Sequence, residues 1–112
     1  MQKCKILIVD DTEIIRVVFT AILKQLPTEI HVAANGAEAL ALLAENDFAV
    51  ILMDIQMPAM SGFECVSIIR NTPQTQHIPI IFITAMGNDT KFVDKGYHLG
   101  AVDYMVKPVD PD

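Results

Sequence analysis

Apolar residues form two kinds of segment that alternate along the chain. Five short runs, rich in β-branched and large apolar residues, lie at residues 6–9, 30–33, 48–53, 80–83 and 101–106. Most of these runs lack polar alternation, which predicts strands buried on both faces of a sheet. The longer segments between them carry apolar residues at helical spacing. Such an alternation predicts an α/β fold built on a parallel sheet.

The first longer segment predicts an amphipathic helix. Thr12 is a plausible N-cap, and Pro27 closes the segment. The apolar residues that recur at helical spacing between them are Ile15, Val18, Phe19, Ile22, Leu23 and Leu26.

Three further helices are predicted. The second covers residues 37–45, after Asn35-Gly36, and the third follows Ser61-Gly62. The third helix carries the apolar residues Phe63, Val66 and Ile69. The fourth covers about residues 89–99 and contains Gly96, at a cost of roughly 1 kcal/mol relative to Ala, so we expect it to be the most labile helix.

Length and charge restrict the class of protein. The chain has 112 residues, 52% of them hydrophobic, and 8 basic against 14 acidic residues, which suits one compact domain. The net charge of −6 argues against direct contact with nucleic acid or an anionic membrane. Cys4 and Cys65 are too few for a disulfide framework, and no apolar leader or membrane-length run is present. We therefore expect a cytoplasmic protein.

Side chains that could bind a ligand or take part in a reaction follow the predicted strands. Asp10 and Asp11 follow the first run, Asp54 the third, Thr84 the fourth and Lys107 the fifth. In open parallel sheets, ligands bind beyond the carboxyl ends of the strands, at the point where the strand order reverses. If the strand order is 2-1-3-4-5, the first and third strands flank that point, and the three carboxylates converge there.

Three adjacent carboxylates require a compensating cation. Two of them about 4 Å apart repel by roughly 4 kcal/mol at an effective dielectric constant near 20. Oxygen ligands without His or Cys select a hard ion, and a shallow site suits Mg²⁺. With Lys107, the ion would form an electropositive pocket suited to a phosphoryl group. A carboxylate can itself be the nucleophile and form an aspartyl phosphate.

The motifs at the strand ends closely resemble those of a response regulator receiver domain, from about Lys5 to Asp110. They are Val9-Asp10-Asp11, Met53-Asp54, Met57-Pro58, Ser61-Gly62, Thr84-Ala85, Tyr104 and Lys107-Pro108. The resemblance implies a flavodoxin-like, doubly wound, five-stranded parallel sheet of order 2-1-3-4-5, as in the chemotaxis regulator.

The resemblance also implies a role for each carboxylate. Asp54 would accept a phosphoryl group from a phosphohistidine on a histidine kinase or histidine phosphotransfer domain. Asp11 and Asp54, with the backbone carbonyl of Gln56, would hold Mg²⁺, and Asp10 would act mainly through a metal-bound water. Phosphorylation would control an output domain in cis or in trans.

Four further residues have implied roles. Thr84 would hydrogen-bond one phosphoryl oxygen, and Lys107 would pair with another. Tyr104 would be the switching aromatic that turns inward near Thr84. Gln56 and Met86 lie two residues beyond the phosphoacceptor and the switching threonine, where the family tunes the lifetime of the phosphoryl group.

Other interpretations of the acidic residues remain. Asp10 and Asp11 could simply begin a helix, where carboxylates favour the positive end of the dipole. The domain could be a receiver-like interaction module that is never phosphorylated. A Mg²⁺-dependent aspartyl phosphatase is disfavoured. In that family one residue separates the two aspartates, whereas Asp10 and Asp11 are adjacent.

The last residues of the chain bear on which helices, partners and neighbouring domains we expect. A receiver has a fifth helix after its last strand, but the chain stops at Pro111-Asp112. We therefore expect residues 1–112 to form a receiver domain without that helix, and the uncovered apolar surface to favour a homodimer. Residues 95–108 resemble receivers of hybrid histidine kinases or cyclic-di-GMP enzymes. The domain itself should be no enzyme beyond self-phosphorylation and self-dephosphorylation.

Overall fold

Five parallel strands form one sheet in a computed structural model that describes residues 4–84, Gly100 and residues 103–106. The strands are β1 (Cys4–Val9), β2 (Thr28–Ala33), β3 (Val50–Asp54), β4 (Ile80–Thr84) and β5 (Asp103–Val106). The helices of the described part are α1 (Glu13–Leu23), α2 (Gly36–Glu45) and α3 (Gly62–Arg70). The strand order is β2-β1-β3-β4-β5, which confirms the predicted order and the doubly wound α/β class.

Strand register aligns the carboxyl ends of the central strands. Val9 at the end of β1 lies opposite Ala33 of β2 and Met53 of β3. Asp54 in turn lies opposite Ile83 of β4. Because side chains alternate between the faces of a strand, residues opposite one another share a face. The residue after Val9 and the residue after Met53 are therefore brought to the same place at the edge of the sheet.

The helices cover the two faces of the sheet. Side chains of α2 and α3 pack on one face, against a cluster that contains Leu7, Val9, Ile51, Met53 and Phe82. Phe63 of α3 meets Phe82 edge to face, with ring centroids 5.1 Å apart. Ile15 and Phe19 of α1 pack on the opposite face, against the cluster Ile6, Ile8, Leu52 and Ile83.

Helix α1 ends earlier than the sequence predicts. Its last residue is Leu23, so the prediction that the helix continues through Leu26 to Pro27 is wrong. The Thr28 hydroxyl donates a 3.0 Å hydrogen bond to the Leu23 carbonyl. This bond satisfies one of the carbonyls left without a partner at the end of a helix, and β2 begins at Thr28. Leu26 is then 54% exposed, and Ile22, predicted on the apolar face, is 55% exposed.

The predicted strand boundaries shift by a few residues, and one strand is not buried on both faces. Strand β2 lies at the edge of the sheet, and its Val32 is 45% exposed. Strand β3 begins at Val50 rather than residue 48 and includes Asp54. A continuous apolar run in the sequence therefore indicates a strand with both faces covered only when that strand has a neighbouring strand on each side.

The predicted helix at about residues 89–99 lies outside the described residues. None of the helices within residues 4–84, Gly100 and residues 103–106 has the length and apolar character of a membrane span.

Candidate phosphoacceptor and metal site

Three carboxylates meet at the carboxyl ends of β1 and β3. Asp10, Asp11 and Asp54 each offer an oxygen, and these oxygens all lie within 4.8 Å of one another. Asp10 is 0% exposed and Asp54 1%, whereas Asp11 is exposed. The structure thus brings together the three acidic residues singled out in the sequence, two of them in a water-poor setting.

Asp10 is held by its backbone and its side chain. Its N–H donates to the Ala33 carbonyl at 3.0 Å, which prolongs the pairing of β1 with β2. Its carbonyl accepts a 2.7 Å hydrogen bond from the Arg16 guanidinium. Its Oδ1 accepts from the Thr12 N–H at 2.8 Å. Asp10 therefore takes part in starting the helix as well as in the acidic cluster.

Thr12 occupies the N-cap position of α1 but does not cap with its side chain. Its backbone is extended, as expected for an N-cap, and its hydroxyl makes no capping hydrogen bond. The Asp10 carboxylate contacts the N–H of the same residue instead. Carboxylates at this end of a helix also interact favourably with its dipole.

Asp54 stands at the last position of β3, with its main chain tied to the neighbouring strand. The N–H of the next residue, Ile55, donates to the Ile83 carbonyl at 3.2 Å. Asp54 Oδ1 accepts from the Gln56 N–H at 3.3 Å. The carboxylate is thereby oriented by a backbone donor two residues along the chain, and Gln56 lies beside the acidic cluster.

The loop from β3 to α3 folds back on the end of the strand. Ala59 has a φ of +68°, a left-handed conformation that an alanine seldom adopts. The Gly62 N–H donates to the Ile55 carbonyl at 2.8 Å, which closes the loop. Ser61 and Glu64 then start α3 with a capping box, in which each side chain bonds the other residue's N–H.

Two close approaches beside the site were not predicted from the sequence. A Cβ on Gly62 would overlap the Asp54 carbonyl, and a Cβ on Gly36, at the start of α2, would lie 2.5 Å from Met60 Sδ. In the sequence, the pairs Asn35-Gly36 and Ser61-Gly62 indicate only where helices start. No sequence pattern indicates which backbone a glycine touches in the folded chain.

The other predicted site residues are described in part. Thr84 ends β4 and lies opposite Val106, the residue before Lys107, and Tyr104 lies opposite Phe82. The structure describes the backbone of Thr84 and Tyr104, while Lys107 and Met86 lie outside the described residues. The carboxyl ends of β4 and β5 thus continue the edge at which the carboxylates meet.

The donor set fits a hard divalent cation. The cluster offers carboxylate oxygens without a His or Cys ligand, the combination that suits Mg²⁺. A cation would also offset the mutual repulsion of three carboxylates whose oxygens lie within 4.8 Å. Asp10, Asp11 and Asp54 each have an oxygen that could hold it.

Cys65 behaves as a small hydrophobe. It is fully buried in the cluster between α3 and the sheet. Burial raises the pKa of its thiol to about 11, because the thiolate would lose its hydration. Its thiolate is therefore scarce at neutral pH, and Cys65 is unsuited to nucleophilic chemistry.

Residues 6–112 match the family model of the response regulator receiver domain. The chain belongs to this family. It is 44% identical over 107 residues to the transcriptional regulatory protein SrrA of Staphylococcus aureus, covering 96% of the chain but 43% of that relative. The chain thus spans less than half the length of this curated relative.

Solved receiver structures have the same fold. The chemotaxis protein CheY4 of Vibrio cholerae is 36% identical, with a TM-score of 0.89 over 97% of this chain and 90% of that one. The N-terminal domain of a response regulator receiver protein from Methanoculleus marisnigri is 31% identical, with a TM-score of 0.86 over 94% and 85% of the two chains.

Family membership confirms the general expectations. The domain is the receiver of a two-component response regulator, whose general function is to accept a phosphoryl group. Receivers bind Mg²⁺ at an acidic pocket, and this domain has such a cluster. In general they work with a histidine kinase and an output domain, and they are not enzymes apart from self-phosphorylation.

Proposed function

We propose that Asp54 accepts a phosphoryl group from a phosphohistidine of a histidine kinase or histidine phosphotransfer domain. The observation that carries this proposal is the position of Asp54, 1% exposed at the end of a central strand and grouped with Asp10 and Asp11. A carboxylate oxygen of Asp54 attacks phosphorus, the P–N bond to the donor imidazole breaks, and the ring nitrogen keeps the bonding electron pair.

The neighbouring residues hold the acceptor ready for that attack. The Gln56 N–H on Asp54 Oδ1 orients the carboxylate. Asp11, Asp54 and the Gln56 carbonyl would hold Mg²⁺, with Asp10 acting through a metal-bound water. The bound cation supplies positive charge to a site that carries three negative charges and receives a phosphoryl group.

Thr84, Lys107 and Tyr104 complete the proposed switch. Thr84 would donate to one phosphoryl oxygen, and Lys107 would pair with another. Tyr104 would turn inward as Thr84 moves. The adjacent ends of β4 and β5, with Thr84 opposite Val106, support this assignment.

Intact mass measurement tests the acceptor. Incubation with acetyl phosphate and Mg²⁺ should add about 80 Da, the mass of one phosphoryl group on a carboxylate nucleophile. Asp54→Asn and Asp54→Ala should both abolish the adduct. Labelling that persists in these variants, for example at Ser61 or Thr84, would refute the assignment, and absence of labelling in the parent would favour an interaction module that is never phosphorylated.

The partner that delivers the phosphoryl group must also contact the surface around Asp54. Ile14, Val17 and Ile22 on the outer side of α1 are 60%, 58% and 55% exposed, and α1 begins two residues after Asp11. Several exposed large apolar side chains on one helix are typical of an interaction surface. We therefore assign the outer side of α1 to the phosphohistidine-bearing partner.

The wider context of the domain is also part of the proposal. We place the receiver in a cytoplasmic multidomain signalling protein, such as a hybrid histidine kinase or cyclic-di-GMP enzyme, on the resemblance of residues 95–108. Its free Cys4 and Cys65 suit a reducing compartment. The name of the Staphylococcus aureus relative favours a transcriptional regulator instead. Sequencing the gene beyond this chain decides between them, and sedimentation tests the proposed homodimer.

A further inference from the structure

Gly62, the first residue of α3, touches the main chain of the phosphoacceptor. A Cβ added to Gly62 would overlap the carbonyl oxygen of Asp54 and would lie 2.9 Å from its carbonyl carbon and 3.0 Å from the Cα of Ile55. All three atoms belong to the backbone. No side-chain rotation could therefore make room for a methyl group at this position.

Neither side of this contact can move freely. On the strand side, Asp54 pairs with Ile83, and the Ile55 N–H donates to the Ile83 carbonyl at 3.2 Å. On the helix side, the capping box of Ser61 and Glu64 fixes the first turn of α3. The start of α3 and the end of β3 are thus two rigid bodies that meet without an intervening side chain.

A hydrogen bond joins the same two bodies. The Gly62 N–H donates to the Ile55 carbonyl at 2.8 Å, so the segment from Ile55 to Gly62 forms a closed loop. Gln56, whose N–H orients the Asp54 carboxylate, lies inside this loop. A displacement at Gly62 would therefore reach both Asp54 and Gln56.

We propose that Gly62 is a positioning residue for the phosphoacceptor site. Its lack of a side chain lets α3 press directly on the Asp54 peptide, which sets the direction of the carboxylate and the position of Gln56. Any larger residue would push the Asp54 peptide and the first turn of α3 apart. The phosphorylation readout rests on the proposed function, whereas the Mg²⁺ readout rests on the carboxylate geometry alone.

The test compares Gly62→Ala with two matched variants. Gly36→Ala also adds a methyl group beside the site, but its Cβ would meet the flexible Met60 side chain, with Sδ at 2.5 Å. Ile69→Ala weakens the packing of the same helix, because Ile69 is fully buried, about two helical turns after Gly62. Mg²⁺ affinity is measured by titration calorimetry, labelling rate with acetyl phosphate, and folding by thermal melting.

We expect Gly62→Ala to lower the Mg²⁺ affinity and the labelling rate at least tenfold in folded protein. Gly36→Ala and Ile69→Ala should leave both within twofold, even where Ile69→Ala lowers the Tm more. A folded Gly62→Ala protein whose affinity and rate stay within twofold of the parent overturns the proposal. A parent that binds Mg²⁺ but is never labelled contradicts the proposed function and leaves the affinity comparison decisive for Gly62.

NMR spectroscopy tests the proposal even if the Gly62→Ala variant does not fold or the parent does not bind Mg²⁺. In the parent, Asp54→Asn should shift the amide resonances of Gly62 and Ile55, because the Asp54 peptide contacts both. The amide of Asn71, at the far end of α3, should stay in place. If the Gly62 amide moves no more than that of Asn71, Gly62 does not sense the phosphoacceptor and the proposal fails.

Discussion

The Asp10 carboxylate accepts a 2.8 Å hydrogen bond from the backbone N–H of Thr12 while it lies in the acidic cluster with Asp54. The same side chain therefore serves the start of α1 and the proposed metal site. Such a bond from an Asp side chain to the N–H two residues later is a common local motif of helix starts and turns. Mutation can remove the charge of Asp10 while keeping an oxygen that accepts this hydrogen bond.

Replacement of Asp10 should change the stability by an amount that depends on the new residue. Asp10→Asn keeps an acceptor oxygen for Thr12 and removes one of the clustered charges, so in chelator it should raise the free energy of unfolding by about 1 kcal/mol. Asp10→Ala loses the hydrogen bond as well and should be about 1 kcal/mol less stable than Asp10→Asn. Urea denaturation measures both, and equal stability of the two variants would contradict the role of the Thr12 contact.

Removal of Asp11 should weaken Mg²⁺ binding at least tenfold, which corresponds to about 1.4 kcal/mol. Asp11→Asn replaces one of three carboxylates whose oxygens lie within 4.8 Å. Glu13→Gln is a suitable control, because Glu13 is an exposed acidic residue of the first turn of α1 outside this cluster. Calorimetric titration with Mg²⁺ gives the affinities. If both variants lose affinity equally, general surface charge rather than the cluster controls binding.

The outer side of α1 should matter for a protein donor and not for a small one. Val17→Asp places a charge on a residue that is 58% exposed, so it should slow transfer from a phosphohistidine partner about tenfold, through weaker docking. Labelling by acetyl phosphate should be unchanged. Ile68→Asp on α3, where Ile68 is 42% exposed, is the matched control and should leave both rates unaltered.

The lifetime of the phosphoryl group should depend on the residue at position 86. Met86 offers no acid or base to orient an attacking water, whereas a glutamate does, so Met86→Glu should accelerate self-dephosphorylation by about tenfold. Gln56→Asn, at the other position proposed to tune the lifetime, tests the role of an amide on a shorter side chain. The decay of purified phosphorylated protein in Mg²⁺ is followed by intact mass. Unchanged or slower decay in Met86→Glu would contradict the proposed influence of position 86 on this lifetime.

Buried Cys65 should make the protein less stable in alkaline solution. Because the folded pKa is raised from 9.0 to about 11, the unfolded chain loses the thiol proton first as the pH rises through this interval. Stability should then fall by at most about 1.4 kcal/mol per pH unit. The fall should be smaller in Cys65→Ala and unaltered in Cys4→Ala, because Cys4 is exposed. Urea denaturation at pH 8 and pH 10 measures it, and identical slopes in parent and Cys65→Ala would exclude this cause.

The order of helices and strands was predictable because it is encoded locally. Continuous apolar runs distinguish covered strands from amphipathic helices, and an Asn or Ser followed by Gly indicates the starts of α2 and α3. The acidic cluster was also predictable, since residues that follow neighbouring parallel strands share one edge of the sheet. Asp10, Asp11 and Asp54 converge for this reason.

The remaining features depend on contacts between distant residues. Arg70 donates to the carbonyls of Gln76, Ile78 and Gly100, at 2.9, 2.7 and 3.0 Å, and its sequence position indicates none of the three. The end of α1 was misplaced because the Thr28 hydroxyl, from the next strand, binds the Leu23 carbonyl.

The sequence by itself determined the class of fold, the strand order expected from the resemblance, and the residues that meet at the sheet edge. The tertiary structure decided that Asp10 also begins α1 and that Gly62 presses on the Asp54 peptide. The hydrophobic periodicity of the sequence indicates whether a position faces the core or the solvent. It carries no information on which backbone atoms come within contact distance once helices and sheet have packed, and those contacts position Asp54.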